Sequence, residues 1–288
     1  MNAEIKLGFC VDYNQIEETL PKVIKMGFES VSISGKTPLP GEGMKELSKK
    51  VLDIIGDSGV IISSVGTYGN PLSSEEDLKS LKDLIASAVL FHTNIIGTYA
   101  GAIPGRPIEE SIPVFKKIFS EVAKEAEYYG TKIGFENCLQ GGSWRCPVNN
   151  IAFHPKVWEM MFHEVPSDAL GLEWEPAHQL AQMIKPIKQL KQWAGKIFHV
   201  HGKDAHINRE YIDLYGVYGA DYIAQFCNPG NGDTQWEDII KILKDHGYNG
   251  SISIEQCMDP IYYGNSKEEG FTKAFQYLKV CRNKCMHK

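Results

Sequence analysis

Four short runs in the second half of the chain decide the fold: GFEN at 134–137, GLEWEP at 171–176, FHVHG at 198–202 and SISIE at 251–255. Each is a handful of apolar and small residues that finishes on a carboxylate or an imidazole. Working outward, the same rhythm covers the chain. Strands are expected at Ile5–Val11, Ser30–Ile33, Val60–Val65, Asn94–Thr98, Lys132–Glu136, Leu170–Glu175, Lys196–His201 and Ser251–Glu255. Helical patterns fall between and after them, at Gln15–Met26, Gly43–Ile55, Ser74–Phe91, Glu109–Tyr129, Pro155–Phe162, His178–Trp193, Trp236–His246 and Lys267–Cys281. Ser74 is placed as an N-cap, and Gly27 and Gly130 as helix stops. Strict alternation of strand and helix implies a parallel sheet. Eight such units in one chain imply closure into an α/β (β/α)8 TIM barrel. An open doubly wound sheet would want a glycine-rich turn after the first strand, where Asp12-Tyr13-Asn14 stands.

At 288 residues the length alone suits two domains or one barrel. No composition shift or linker divides it, so one domain over residues 1–288 is expected. The balance of 43% hydrophobic, 10% aromatic and 23% charged residues excludes a disordered chain, a collagen and a coiled coil. The net charge of −6 repels a phosphate backbone, so no nucleic-acid partner is expected. No stretch approaches the roughly 20 apolar residues of a membrane helix, and the N-terminal run is too short for a signal segment. Seven scattered cysteines without a CxxC pair read as free thiols in a reducing, cytoplasmic setting. Cys281 and Cys285 lie one turn apart with His287 near. They read as part of a terminal helix, with a metal clip as the alternative.

In a barrel of this kind, chemistry sits at the C-terminal ends of the strands. Side chains alternate along a strand, so Phe135, Trp174, Val200 and Ile254 face the helices. Glu136, Glu175, His201 and Glu255 then share the mouth. Three carboxylates in one cleft repel one another unless a cation neutralises them. Three oxygen donors and one nitrogen suit a single divalent ion: Mn²⁺, Mg²⁺, Co²⁺ or Zn²⁺. One step deeper lie Glu173, His199 and Ser253. A buried Glu173 needs a partner, and His199 is expected to hydrogen-bond it beneath the ion. Glu173 in place of Glu175 as the strand-six ligand stays open. Tyr68 and Tyr99 follow strands three and four and read either as walls for a sugar or as core or rim packing. Trp144 and Arg145 lie in the loop 141–150, which reads as either a lid or a plain surface loop.

These residues resemble the sugar phosphate isomerase/epimerase superfamily, the xylose isomerase-like TIM barrels that also include AP endonuclease family 2. The resemblance is carried by IGFEN (Ile133–Asn137), GLEWEPAH (Gly171–His178), HVHGKD (His199–Asp204), PGNGDTQW (Pro229–Trp236) and GYNGSISIEQ (Gly247–Gln256). It covers the C-terminal half, while the N-terminal half agrees in its β/α rhythm. It implies one metal on Glu136, Glu175, His201 and Glu255, with Glu136 and Glu255 also exchanging the substrate proton. It also implies that His178, Lys203 and Asp204 bind substrate. The sequence departs from the family at three places. Glu175 stands for the usual aspartate, Cys138 for a histidine often seen after Glu-Asn, and Phe226-Cys227-Asn228 where an arginine often precedes the PG turn.

Together these point to a metal-dependent isomerase or epimerase of a keto-sugar or polyol, acting by α-proton abstraction through an enediolate. An inosose-type dehydratase on the same scaffold is the alternative. A non-catalytic sugar-binding barrel and an endonuclease IV-like phosphodiesterase are further ones. The last would need more His and Asp ligands on strands one to four. The partner expected is a small sugar or polyol. Homo-oligomers are common in the family, and no surface stripe identifies an interface here.

Overall fold

The computed structural model describes residues 4–35, 43–219 and 222–286. Ten strands are found among them. They are β1 Lys6–Asp12, β2 Ser30–Gly35, β3 Ile61–Thr67, β4 Ile95–Thr98, β5 Lys132–Glu136, β6 Leu170–Trp174, β7 Ile197–Gly202, β8 Asp204–Ile207, β9 Ala224–Cys227 and β10 Ser251–Ile254. Eight of them close into a parallel barrel in the order β1-β10-β7-β6-β5-β4-β3-β2. The ring therefore follows chain order, as expected of a (β/α)8 barrel.

The helices are α1 Ile16–Lys25, α2 Met44–Ile55, α3 Glu75–Ser87, α4 Ile108–Tyr129, α5 Pro155–Glu164, α6 Pro176–Ala181, α7 Pro186–Trp193, α8 Arg209–Tyr215, α9 Trp236–Asp245 and α10 Lys267–Met286. The capping signals hold. Ser74 accepts the Asp77 amide at 3.1 Å, and Gly130 ends α4 in the left-handed region at φ 69°. The apolar stripes of the helices meet the outer faces of the strands, where Phe135, Trp174, Val200 and Ile254 are fully buried. Each such side chain contributes about 1.5–3 kcal/mol.

Two segments differ from expectation. The helix expected over 178–193 is two helices. Met183 is left-handed at φ 59°, and Lys185 is extended because Pro186 follows it. Between the seventh and eighth barrel strands, where the sequence signals no further strand, the segment 204–234 contains a hairpin, β8 against β9, with Asp204 opposite Cys227 and Ile207 opposite Ala224. No helix among the described residues is long and apolar enough to cross a membrane. All seven cysteines are free thiols. Cys281 and Cys285 are buried on α10, while His287 lies outside the described residues.

Arg282 on α10 ties the last helix to the first two strands. Its guanidinium donates to Ile5 O at 2.8 Å and to both oxygens of Glu29 at 2.6 and 2.8 Å, and it pairs with Glu4 at 3.0 Å. Glu29 also accepts the Leu7 amide at 2.9 Å. Burial pushes the Glu29 carboxyl up, but the bonds from Arg282 and Leu7 outweigh it and hold it below the usual range. Replacing Arg282 by methionine is expected to cost about 2–3 kcal/mol, below the roughly 3–5 kcal/mol of a fully buried broken pair, because Glu29 keeps some water. A lowered folded pKa stabilises above the unfolded value of about 4.3 and is lost as pH falls through the folded value. Urea melts should therefore show the gap between R282M and wild type narrowing below about pH 4.3.

Candidate metal centre and active site

Glu136 ends β5, Glu175 follows β6, His201 lies in β7 and Glu255 follows β10. One ligand atom from each lies within 4.8 Å of the others. The Nδ1 of His201 is 3.4 Å from Glu136, 3.6 Å from Glu255 and 3.7 Å from Glu175. Both oxygens of Glu175 and both ring nitrogens of His201 are buried and lack a hydrogen-bond partner among the described residues. A buried carboxylate in that state is costly. Burial, with Glu255 and Glu136 adding to it, pushes the Glu175 carboxyl up to about 8, although Lys203 opposes the shift. Burial raises Glu136 as well. A donor set of the type O,O,O,N, with Glu175 and His201 left unsatisfied, fits a hard or borderline divalent cation.

The backbone around these ligands is locked by two asparagines. Asn137 donates to Glu175 O at 2.9 Å and accepts the Glu175 amide at 2.7 Å, so the ends of β5 and β6 are held in register. Asn150 donates to the carbonyls of Glu136 and Cys138 and accepts from the amides of Ala100 and Ala152. Neither role is legible in the sequence, since each bond spans distant segments or a long loop.

Beneath the ligands runs a polar column. His199 Nδ1 lies 2.7 Å from Glu173 Oε1, and the Tyr68 hydroxyl donates to Glu173 Oε2 at 2.5 Å. With Nδ1–H directed at the carboxylate, His199 Nε2 accepts from Ser253 at 3.0 Å. Burial keeps His199 below its ordinary pKa, against the pull of Glu173. The column needs room. A Cβ on Gly97 would stand 2.5 Å from Glu173 Oε2, so only glycine fits on β4 there. Glu173, His199 and His201 form a second group within 4.8 Å, but Glu173 is already held by Tyr68 and His199.

A cavity of about 420 Å³ opens above the column. Glu136, Glu255, His201, His178 and Lys203 line it, as do the walls Tyr68 and Tyr99, while Glu175 does not. Lys203 reaches Glu255 at 2.7 Å and Glu175 at 3.0 Å. Burial alone would lift the Glu255 carboxyl, but the Lys203 charge overrides it and holds the group down at about 2. His178 Nε2 is 3.3 Å from Glu175 and 3.4 Å from Lys203, and burial keeps it well below its ordinary value. Phe226 packs edge-on to His178 at 5.0 Å and under Lys203 at 5.2 Å. Cys138 lies within 4.8 Å of Glu136 and His178, and burial pushes its thiol up to about 12.

Three further residues singled out from the sequence lie outside the cavity lining. Asp204 does not line the cavity. It is fully buried, and its carboxylate accepts from the amides of Ala205, Thr234 and Gly230 and from the Trp236 indole. It shapes the loop 229–236. Trp144 and Arg145 also lie outside the cavity lining. The Trp144 indole donates to Glu109 at 2.8 Å, and its carbonyl accepts the Ile108 amide, which ties this loop to the start of α4.

The profile of a family described as xylose isomerase-like TIM barrel matches residues 20–281. The protein YfiH of Bacillus subtilis is 23% identical over 300 residues, covering 87% of this chain and 92% of that one. An inosose dehydratase of Clostridium perfringens is 31% identical over 122 residues, covering 39% of this chain and 38% of that enzyme. The solved structure of a xylose isomerase domain protein from Planctomyces limnophilus superposes with a TM-score of 0.74 at 16% identity, over 99% of this chain and 100% of that one.

Proposed function

The chain belongs to the xylose isomerase-like TIM barrel family, and from that premise we propose that it is a divalent-metal-dependent isomerase or epimerase of a keto-sugar or polyol. The observation that carries the reading is the set Glu136, Glu175, His201 and Glu255, with Glu175 and His201 buried and unsatisfied. The ion they would hold supplies Lewis-acid polarisation of a carbonyl and its neighbouring hydroxyl.

The remaining chemistry belongs to the chain. Glu255 and Glu136 are the two carboxylates of the set that line the cavity, on β10 and β5. One removes the proton α to the carbonyl, and the same or the opposite one returns it to the enediolate. Return by the same group, between the two carbons, interconverts aldose and ketose. Return to the opposite face inverts the α-carbon. Lys203 keeps Glu255 ionised and offers N–H groups to a substrate oxygen. Neutral His178 can donate or accept beside it. Tyr68 and Tyr99 shield the reacting carbon from water.

A second reading is favoured by the inosose dehydratase relative and by Lys203, whose ammonium stands beside the base. There the same enediolate would lose a β-hydroxyl, protonated as it leaves.

The test is incubation of the metal-loaded protein with ketoses, inososes and 3-keto-sugars in D₂O. The expected result is deuterium at the α-carbon. A product lighter by one water would favour the dehydratase, and no exchange with any member would overturn both. Elemental analysis should find one divalent ion per chain. Chelation should take exchange to background, and Mn²⁺ should restore it. The ion at a hundredfold excess over its Kd should stabilise the fold by about 2.7 kcal/mol. Three ions per chain, or none after reconstitution, would overturn the assignment.

A further inference from the structure

The cavity above the metal ligands does not end at the barrel mouth. Gln15 and Gln256 line it, and the same two residues line an adjoining lobe of about 600 Å³. That lobe is a groove between α1, along which it runs from Gln15 to Met26, and the start of α10. One wall carries Thr19 and Lys22, and the other Asn265, Lys267 and Glu268. Phe9 and Phe271, packed on each other and almost wholly buried, lie at its base. Lys22 pairs with Glu268 across the groove at 3.1 Å, which braces the walls, and with Glu18 on its own helix at 3.2 Å.

The first cavity is already within the size range of small-ligand sites, and the lobe is larger than it. A single sugar ring at the metal ligands would leave the lobe filled only with solvent. The lining also indicates what the lobe accepts. Lys22 and Lys267 are balanced by Glu18 and Glu268, so the lobe has no net positive charge with which to hold a phosphate. Amides, a hydroxyl, carboxylates and ammonium groups over an aromatic base suit a neutral polyhydroxylated ring, whose hydroxyls both donate and accept.

Resting on the reading above, we propose that the substrate is a glycoside: the reacting sugar sits at Glu136 and Glu255, and a second sugar ring occupies the lobe between α1 and α10. Gln15 and Gln256 stand where the two rings join.

Two measurements on the Mn²⁺-loaded protein test this. Calorimetry compares sorbitol with its 4-O-glucosyl derivative maltitol, neither of which turns over. Maltitol is expected to bind at least tenfold more tightly. Thr19→Trp, which fills the lobe from α1, should remove that gain and leave sorbitol unchanged. Asn265→Trp, on the facing wall, should do the same and covers the case in which the first variant fails to fold. In D₂O, kcat/KM for exchange should be at least tenfold higher for 4-O-glucosyl fructose than for fructose. Thr19→Trp should lower the former to the level of the latter. Equal or absent binding of the two alditols overturns the proposal, as does sorbitol 6-phosphate binding more tightly than maltitol. Exchange on fructose without a gain from the glucosyl group overturns the lobe assignment and leaves the proposed reaction standing. No exchange with any sugar, while maltitol still outbinds sorbitol, overturns the reaction and not the lobe.

Discussion

Replacing Glu255 by glutamine is expected to lower deuterium incorporation at the substrate α-carbon by about 10³-fold, within the range for loss of a positioned general base. Exposure decides which carboxylate is at stake. The Glu175 side chain is fully buried, whereas that of Glu255 is 29% exposed and faces the cavity. Its ammonium partner Lys203 keeps it ionised at neutral pH, the state a proton acceptor requires. Glutamine keeps the size and the hydrogen bond to Lys203 but cannot take up the proton. The fold should survive, because the backbone bond from the Glu255 amide to Gly202 O at 3.3 Å does not involve the side chain. Elemental analysis of the same sample separates the two roles of Glu255. Ion retained with exchange lost assigns proton transfer to it, and ion lost assigns ligation. Unchanged exchange would remove Glu255 from the reaction.

The barrel was legible because each strand carries its own signal: a β-rich run, a polar terminus, then an amphipathic helix. The convergence of Glu136, Glu175, His201 and Glu255 followed from parity, since side chains two apart along a strand face the same way and all four lie at or just past a strand end. The same logic predicted the bond between His199 and Glu173, which lie on adjacent strands. It failed where contacts are set by loops. Asp204 directly follows Lys203 and shares its motif, yet one turns into the cavity and the other into the loop 229–236. Tyr68 was read as a wall or as packing, and the structure adds its bond to Glu173, across 105 residues of sequence. One signal was present and unused: Gly97 lies inside a strand pattern, where a glycine often marks the close approach of another group. Here that group is the Glu173 carboxylate.

Substitutions of Glu173 should separate support from ligation. Glu173→Ala leaves the Tyr68 hydroxyl and the His199 Nδ1–H facing each other without an acceptor, and opens a cavity between them. A loss of about 3–5 kcal/mol in denaturant melts is expected, as for a buried pair deprived of one partner. Glu173→Gln should cost much less. The amide oxygen can accept from Tyr68, and the amide nitrogen can donate to His199 if the imidazole moves its proton to Nε2. Ser253 Oγ, 3.0 Å away, can then accept from Nε2. That shift is observable as a change of the His199 ring-nitrogen signals in the NMR spectrum. Because the Gln variant keeps the column in place, its ion content bears directly on which β6 carboxylate binds metal. We expect one ion per chain in E173Q and a large loss of affinity in E175Q, whose carboxylate is fully buried beside His201 and has Lys203 and His178 as other polar neighbours. The reverse pattern would make Glu173 the ligand and Glu175 its support.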